Sequence, residues 1–460
     1  MVISASGQQG QMLTRMRPAS SAALCSMDTR TIFQLKKSPF LILFVLVITA
    51  IVAVSFPYAK KALEIRSETR KWNEKWSDRA AVPSAEKPPS LGQASQVPES
   101  IEQDLLLSLA ESPWVIDSHL KIGKGATLSI EPGVEIFLAP KADIQVYGRI
   151  LAAGTSESPI LLGAYSENEA DSWAGLFFRS DVPSEFQHVN FENSRYAARL
   201  VFAAASWENC TFKNVREICS GYKSSLTFDK CLFDYRAFSG GGNINVMKFY
   251  QGDLQVENSE FFTPNSDYKV DGIDADYVKH GVIRGNRFFG GKCQNSDAID
   301  IGHGSRNIVI EDNLIVGFVD KGVSVGEKAE ALVNNNVIAN CAIGVGVKDS
   351  ARVTITKTTF YKNDYAVKSY EKVAGKGGGY AKLDNSLIAL SQNAPIEVDA
   401  LSSIEVSNTL CDSQLLPGKN NSQGTAAFKD IAEYDFNVTK ILTKSGDQTS
   451  PSPGTYGAKL

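Results

Sequence analysis

A six-residue unit that recurs nine times between residues 207 and 411 constrains this chain more than any other feature. Its form is an apolar residue, two variable positions, a small or amide residue, one further position, and then Phe or Ile. The copies are WENCTF ending at Phe212, FDKCLF at Phe233, VENSEF at Phe261, IRGNRF at Phe288, IEDNLI at Ile315, VNNNVI at Ile338, ITKTTF at Phe360, LDNSLI at Ile388 and VSNTLC at Cys411. Successive ends lie 21 to 28 residues apart. Alternation within the unit marks a strand with one face inward, and the polar fourth position marks a bend where a side chain bonds backbone. Repetition at this period means stacked coils, each packing on its neighbours. Val, Ile, Phe, Asn and Gly dominate the units, leaving no room for the helix of a leucine-rich repeat. The expected fold is therefore all-β, a right-handed parallel β-helix, in which each alignment column becomes a ladder of side chains about 4.8 Å apart. Cys210 and Cys231 share one such column and are expected to stack within disulfide reach.

Upstream the pattern changes. Residues 1–39 form a basic tail with Arg15, Arg17, Arg30, Lys36 and Lys37 against the single acidic Asp28. Residues 40–59 carry no charge, which is long enough to span a bilayer as one helix. The basic flank places the N-terminus in the cytoplasm, so a single-pass membrane protein is expected, with the bulk of the chain periplasmic or extracellular. Small residues at Ala53 and Ser55 also permit the alternative of a cleaved signal peptide. Residues 60–100, rich in Pro, Ser, Gln and charge, read as a linker or stalk. The stretch from Ile101 to Leu109 reads as a short amphipathic helix capping the solenoid, which then occupies residues 101–413 and is followed by a C-terminal cap or tail over 414–460.

Composition narrows function only by exclusion. With 47 basic and 51 acidic residues the formal charge is −4, which gives no global field for binding nucleic acid. Seven cysteines without a CxxC pair make a zinc site unexpected. The four histidines, His119, His188, His280 and His303, are too scattered to assemble a triad.

The stretch LKIGKGATLSIEPGVEIFLAPKADIQVYGRILAAGTSESPILLGA, with SWAGLFF after it, resembles the opening coils of bacterial right-handed β-helix proteins of the pectate-lyase-like superfamily. The stretch DFNVTKILTKSGDQTSPSPGTYGA is similar to their closing segment. The resemblance runs from about Trp114 to Ala458 and implies a fold; the superfamily includes polysaccharide lyases, epimerases, hydrolases and proteins with no known catalysis, so fold alone chooses none of them.

A second strand follows each core strand, and there the polar residues are unusual. The segments VDGIDADY, SDAIDIGHGS, VDKGVSVGEK, CAIGVGVKDS and DYAVKSYEK align on the inward residues Ile273, Ile299, Val323, Val345 and Val367. One outward column then holds Asp271, Asp297 and Lys321; the next holds Asp274, Asp300, Ser324, Gly346 and Lys368; beyond them come Asp276, His303, Glu327, Lys348, Asp349, Tyr370 and Glu371. Stacked carboxylates repel unless a cation, a shared proton or lysines compensate. A bland reading makes this a solvated face. The sharper one makes it an exposed groove for an extended polysaccharide, with Gly302, Ser324, Gly326, Gly344 and Gly346 leaving space beside the charges.

Three chemistries suit those residues. In a lyase or epimerase, Ca²⁺ held by Asp271, Asp274, Asp297 and Asp300 neutralises a uronate carboxylate while Lys321 or Lys348 removes the adjacent proton. In a hydrolase, two of the carboxylates act as acid and base. The strings DGID, DAID and GHGS resemble polygalacturonase-like hydrolases, which implies catalytic roles for Asp274, Asp297, Asp300 and His303, although here the Gly-His-Gly element directly follows Asp300 instead of coming one coil later. In the third case there is no reaction, and the face serves as a glycan- or protein-binding scaffold. Glu327, Asp349, Lys368 and Tyr370 are the expected substrate contacts, and Tyr268, Tyr277, Tyr365 and Tyr380 offer further rings for stacking on sugars. The run AGKGGGY from Ala374 lacks P-loop spacing and reads as a flexible loop beside the groove.

Overall fold

The computed structural model of this protein describes residues 91–165, 172–237, 244–443 and 457–458. These form a parallel β-solenoid with three ladders of strands. The first ladder is built from short strands such as Glu260–Phe262, Arg287–Phe289 and Leu314–Val316 and forms most of a 16-stranded sheet. The second and third ladders belong to one 23-stranded sheet, because strands such as Ile244–Glu257 and Val270–Arg284 run through both. Where these long strands bend from the second ladder to the third, one residue adopts a left-handed conformation: Lys223, Gln251 and Tyr277 have φ of 49°, 62° and 55°.

All nine repeat ends fall in a single column of the first ladder. Phe212 pairs in register with Phe233, Phe233 with Phe261, and the column continues through Phe288, Ile315, Ile338, Phe360 and Ile388 to Cys411. The rings stack inside the coil with centroids 5.1, 4.3 and 4.4 Å apart from Phe212 to Phe288. The polar fourth position acts as expected. Asn286, Asn313 and Asn336 are buried and bonded in series: Asn313 Oδ1 accepts from the backbone N of Asn286 at 2.9 Å, and Asn313 Nδ2 donates to Asn336 Oδ1 at 3.0 Å. Each amide thereby satisfies backbone at the bend that the sheets cannot reach. Cys210 and Cys231 lie in consecutive coils, as expected, and both are buried free thiols.

Both ends depart from expectation. The helix expected over Ile101 to Leu109 is absent; Ser100–Ile101 and Leu105–Leu107 are strands, with only a 3₁₀ turn at Leu109–Glu111. Their partners, Lys121–Ile122 and Leu128–Ile130, need backbone hydrogen bonds at the end of the stack, which a helix does not supply. The apolar run meets that need by alternating, with Leu107 buried and Leu106 exposed. The first coil opens at Ser95, inside the stretch expected as linker. At the other end, Ser422–Asp430 and Asp435–Thr443 form an antiparallel hairpin. With Ala458 it covers an apolar patch outside the first ladder, where Phe436 packs with Val316, Val337, Tyr361 and Leu387. The membrane helix expected over residues 40–59 lies outside the described residues, and among the described residues no helix is long and apolar enough to cross a membrane.

Candidate functional site

The columns of the second ladder form as the spacing requires. Ile273, Ile299, Val323, Val345 and Val367 are in register and point inward, fully buried. The outward column beside them runs Lys248, Asp274, Asp300, Ser324, Gly346, Lys368 and Glu397. Two residues before the inward column, Asp271, Asp297 and Lys321 are joined through carboxylate and backbone, with Asp297 N donating to Asp271 Oδ1 at 2.9 Å and Lys321 N to Asp297 Oδ1 at 3.0 Å.

The charges share a face, but that face is not open as expected. Asp271 is 0% exposed, and Asp297 and Lys321 are each 3% exposed. The side chains of Asp274 and Asp300 keep 15% and 24% of their surface. Lysines close the face. Lys269 Nζ lies 2.7 Å from Asp271; Lys248 Nζ lies 2.6 Å from Asp274 and 2.7 Å from Asp276; Lys321 reaches Asp297 at 3.3 Å and also contacts Asp320; Lys348 lies 3.7 Å from Asp300 and donates to Ser324 Oγ at 2.6 Å. The glycines expected to leave space instead make room for these stems. A Cβ on Gly346 would sit 2.8 Å from Lys321 Cδ, and one on Gly326 2.7 Å from Lys348 Cε, while a Cβ on Gly302 would collide with Asp276. Gly344 faces the other way, toward Phe360 in the core.

The remaining expected site residues divide. Lys368 stays on the face, paired with Glu397 at 3.0 Å and 5.5 Å from the Tyr370 ring centre. Asp349 is buried and accepts from the backbone N of Lys372 and Val373 at 2.8 and 2.9 Å, so it pins a loop instead of meeting solvent. His303 lies at the edge toward the third ladder, its ring stacked 5.1 Å from Tyr277 and its Nδ1 against Glu327, which also takes Lys376 at 2.6 Å. Tyr380 sits in the third ladder beside Arg352, away from the strip. The glycine-rich run is anchored, not free: Ser350 Oγ donates to Lys376 O at 2.6 Å, and Gly377 N donates to Glu371 at 2.7 Å. The sequence reading missed Lys248, Lys269, Asn245 and Asp320. Extending the column alignment one coil upstream, through INVMKFY, would have found Lys248 directly over Asp274.

Burial drives the electrostatics. It pushes the Asp297 carboxyl up to about 7, against the pull of Lys321 and with help from the neighbouring Asp300 and Asp271. It likewise raises Asp274 to about 6, where Lys248 only partly compensates. Asp300 goes the other way: burial is opposed and outweighed by Lys348 and by the Ser324 hydroxyl, and the carboxyl is held below its usual range. Burial works against the Lys321 ammonium, but Asp297 and Asp320 prevail and hold it well above the ordinary lysine range. A carboxyl raised in the folded state binds more protons there than in the unfolded chain, so stability falls as pH rises from about 4 through the folded value. Asp274 and Asp297 thus predict a decline between about pH 4 and 7, at most about 1.4 kcal/mol per pH unit for each group. Thermal unfolding should show a higher Tm at pH 5 than at pH 8, and Asp297→Asn should flatten the difference. A Tm that rises over this window would contradict the assignment.

The same pairing bears on metals. A calcium ion takes six to eight oxygens, yet each of the four aspartates expected to hold one already faces an ammonium group. Among the described residues no group of three or more His, Cys, Asp or Glu converges as a metal site. The donor set does not fit a resident hard cation.

Residues 239–408 match the family model described as periplasmic copper-binding protein (NosD). That span covers the charged strip. Among the described residues of that span the soft copper ligands are engaged elsewhere: Cys293, Cys341 and Met247 are buried in the core, His280 pairs with Asp253 and His303 with Glu327. Protein bark beetle of Drosophila melanogaster is 35% identical over 82 residues, 17% of this chain, which spans only 3% of that relative. Among solved structures, a PL6-family alginate lyase is 11% identical with a TM-score of 0.46, covering 80% of this chain and 57% of its own. The A-module of the Azotobacter vinelandii mannuronan C-5 epimerase AlgE4 is 15% identical with a TM-score of 0.31, covering 72% and 87%.

Proposed function

We propose that this chain engages a polysaccharide outside the cytoplasm and acts on it by acid–base chemistry along the second-ladder face. One observation carries the reading. Asp274 and Asp300 are adjacent in one column, both keep part of their surface, and their environments drive their protonation apart. Such a divergence separates an acid from a base. Asp274, raised to about 6, is the proton donor, and Asp300, held ionised by Lys348, is the acceptor. Lys248, Lys269 and Lys368 keep partly exposed side chains along the strip, and their ammonium groups, paired with Asp274, Asp271 and Glu397, would meet the carboxylates of a uronate chain. Asp297 and Lys321 lie beneath them and set the local field. An uncharged helix over residues 40–59 would tether the body to the membrane, and the description of the matched family as periplasmic supports that side.

A second reading, a scaffold without turnover, is favoured by the burial of Asp271, Asp297 and Lys321, which consumes three of the strip's charges internally. Incubating the full chain with uronate-containing and neutral glycans, with and without calcium, separates the two. Unsaturated products identify a lyase and new reducing ends alone a hydrolase; an epimerase shows as altered uronate configuration by NMR. Asp300→Asn should then lower turnover by about 100-fold or more. Binding without any product, unchanged in Asp274→Asn and Asp300→Asn, would leave the scaffold reading standing.

A further inference from the structure

A second track runs along the other outward face of the solenoid, on the third ladder. Two hollows line it. One, of about 490 Å³, is bordered by Tyr277, Lys279, His280 and Arg306; the other, of about 670 Å³, by Glu330, Arg352, Tyr380 and Lys382. Asn307 borders both, so they are neighbours. Register makes the second hollow straight. Glu330, Arg352, Tyr380 and Ser403 form one column, and Val309, Leu332, Thr354, Lys382 and Glu405 the next, each step one coil or about 4.8 Å. Half-buried Val309 and Leu332 supply an apolar floor.

The side chains suit a particular ligand. Tyr277 and Tyr380 are 42% and 36% exposed and each borders a hollow; one side of the Tyr277 ring is stacked on His303, and Tyr250 packs against it at 5.0 Å. Tyr380 is backed by the Arg352 guanidinium, 4.7 Å from its centre. Tyr277 and Tyr380 lie four coils apart, roughly 19 Å along the stack, a spacing that suits stacking on sugars several residues apart in one extended chain. The first hollow is basic: Lys279, His280 and Arg306 line it and no carboxylate does, although Asp253 pairs with His280 from the side at 3.0 Å. In the second hollow Glu330 and Glu405 balance Arg352 and Lys382. A chain of sugars carrying carboxylates fits both the rings and the excess of positive charge.

We infer that the third-ladder face is a binding track for an acidic glycan, separate from the strip of aspartates and lysines, with Tyr277 and Tyr380 stacking on sugar rings and Lys279 and Arg306 taking a uronate carboxylate. The track stands independently of the acid–base reading of the second ladder. It would hold the polymer while a different stretch of it meets the opposite strip.

The test titrates the full chain with oligogalacturonate, oligomannuronate and, as a charged polymer without rings, polyglutamate of matched length. Three forms are compared: the natural chain, the double variant Tyr277→Ala/Arg306→Ala, and Asp300→Asn. All three altered side chains keep exposed surface, so an unchanged Tm serves as the check on folding. The expected result is at least a tenfold loss of affinity for one of the uronates in the double variant, with that affinity retained in Asp300→Asn. Unchanged affinity in the double variant overturns the track, whatever Asp300→Asn does to turnover. Equal binding of polyglutamate overturns the glycan assignment, and so does a natural chain that binds neither uronate. If the double variant loses binding while Asp300→Asn leaves turnover intact, the track stands and the second-ladder chemistry fails alone.

Discussion

Replacing Lys321 by alanine should destabilise the solenoid by about 3–5 kcal/mol near pH 8, because it strips a buried carboxylate of its closest ammonium. Lys321 and Asp297 are each 3% exposed and 3.3 Å apart, so no water takes the lost partner's place cheaply. The loss should shrink at pH 5, where Asp297, already raised to about 7, accepts a proton and ceases to need a counter-charge. Lys321→Met with Asp297→Asn should recover most of the stability, since the asparagine oxygen still accepts from the Lys321 position's backbone N and no charge is buried. Denaturant midpoints for the natural chain and these two variants at both pH values supply the measurement. A Lys321→Ala cost that is small and independent of pH would mean that the pair is not sealed from solvent.

Phe261→Ala should cost about as much, roughly 3–5 kcal/mol, by emptying the middle of the ring column. Phe261 is 1% exposed and lies between Phe233 and Phe288, with ring centres 4.3 and 4.4 Å away. Each coil packs only on its neighbours, so the cavity weakens two coil–coil contacts at once. The adjacent Phe262 provides the control. It points out of the coil and stacks on Phe289 at 5.0 Å, and its loss should cost only about 1 kcal/mol. Equal shifts in urea midpoint for Phe261→Ala and Phe262→Ala would contradict the inward assignment of the column.

The site was legible in part. The offset to Ile273, Ile299 and Val323 puts Asp271, Asp274, Asp297, Asp300 and Lys321 in two columns, and the structure pairs Asp274 with Asp300 and Asp297 with Lys321 in register, with Asp297 N bonded to Asp271 Oδ1. Their accessibility was misjudged. An open groove was read from Gly326 and Gly346 as vacant positions, but the side chain crossing Gly346 comes from Lys321 and the one crossing Gly326 from Lys348, each from a neighbouring coil. The resemblance of DGID, DAID and GHGS to polygalacturonase-like hydrolases groups His303 with the aspartates, yet the left-handed bend at its own position, φ 49°, turns it toward Tyr277 and Glu327. The basic hollow at Tyr277 had no sequence signal, since Tyr277, Lys279 and Arg306 belong to no shared column.

The sequence by itself determined the coil, the repeat column from Phe212 to Cys411 and the alignment of the second strands. The reason is that alternation and period are local properties, and stacking carries them unchanged from one coil to the next. Only the tertiary structure decided which charges meet water. That depends on how far a lysine stem reaches across a neighbouring glycine, and on how each bend is turned, and both are set between coils, where no periodicity in the chain records them.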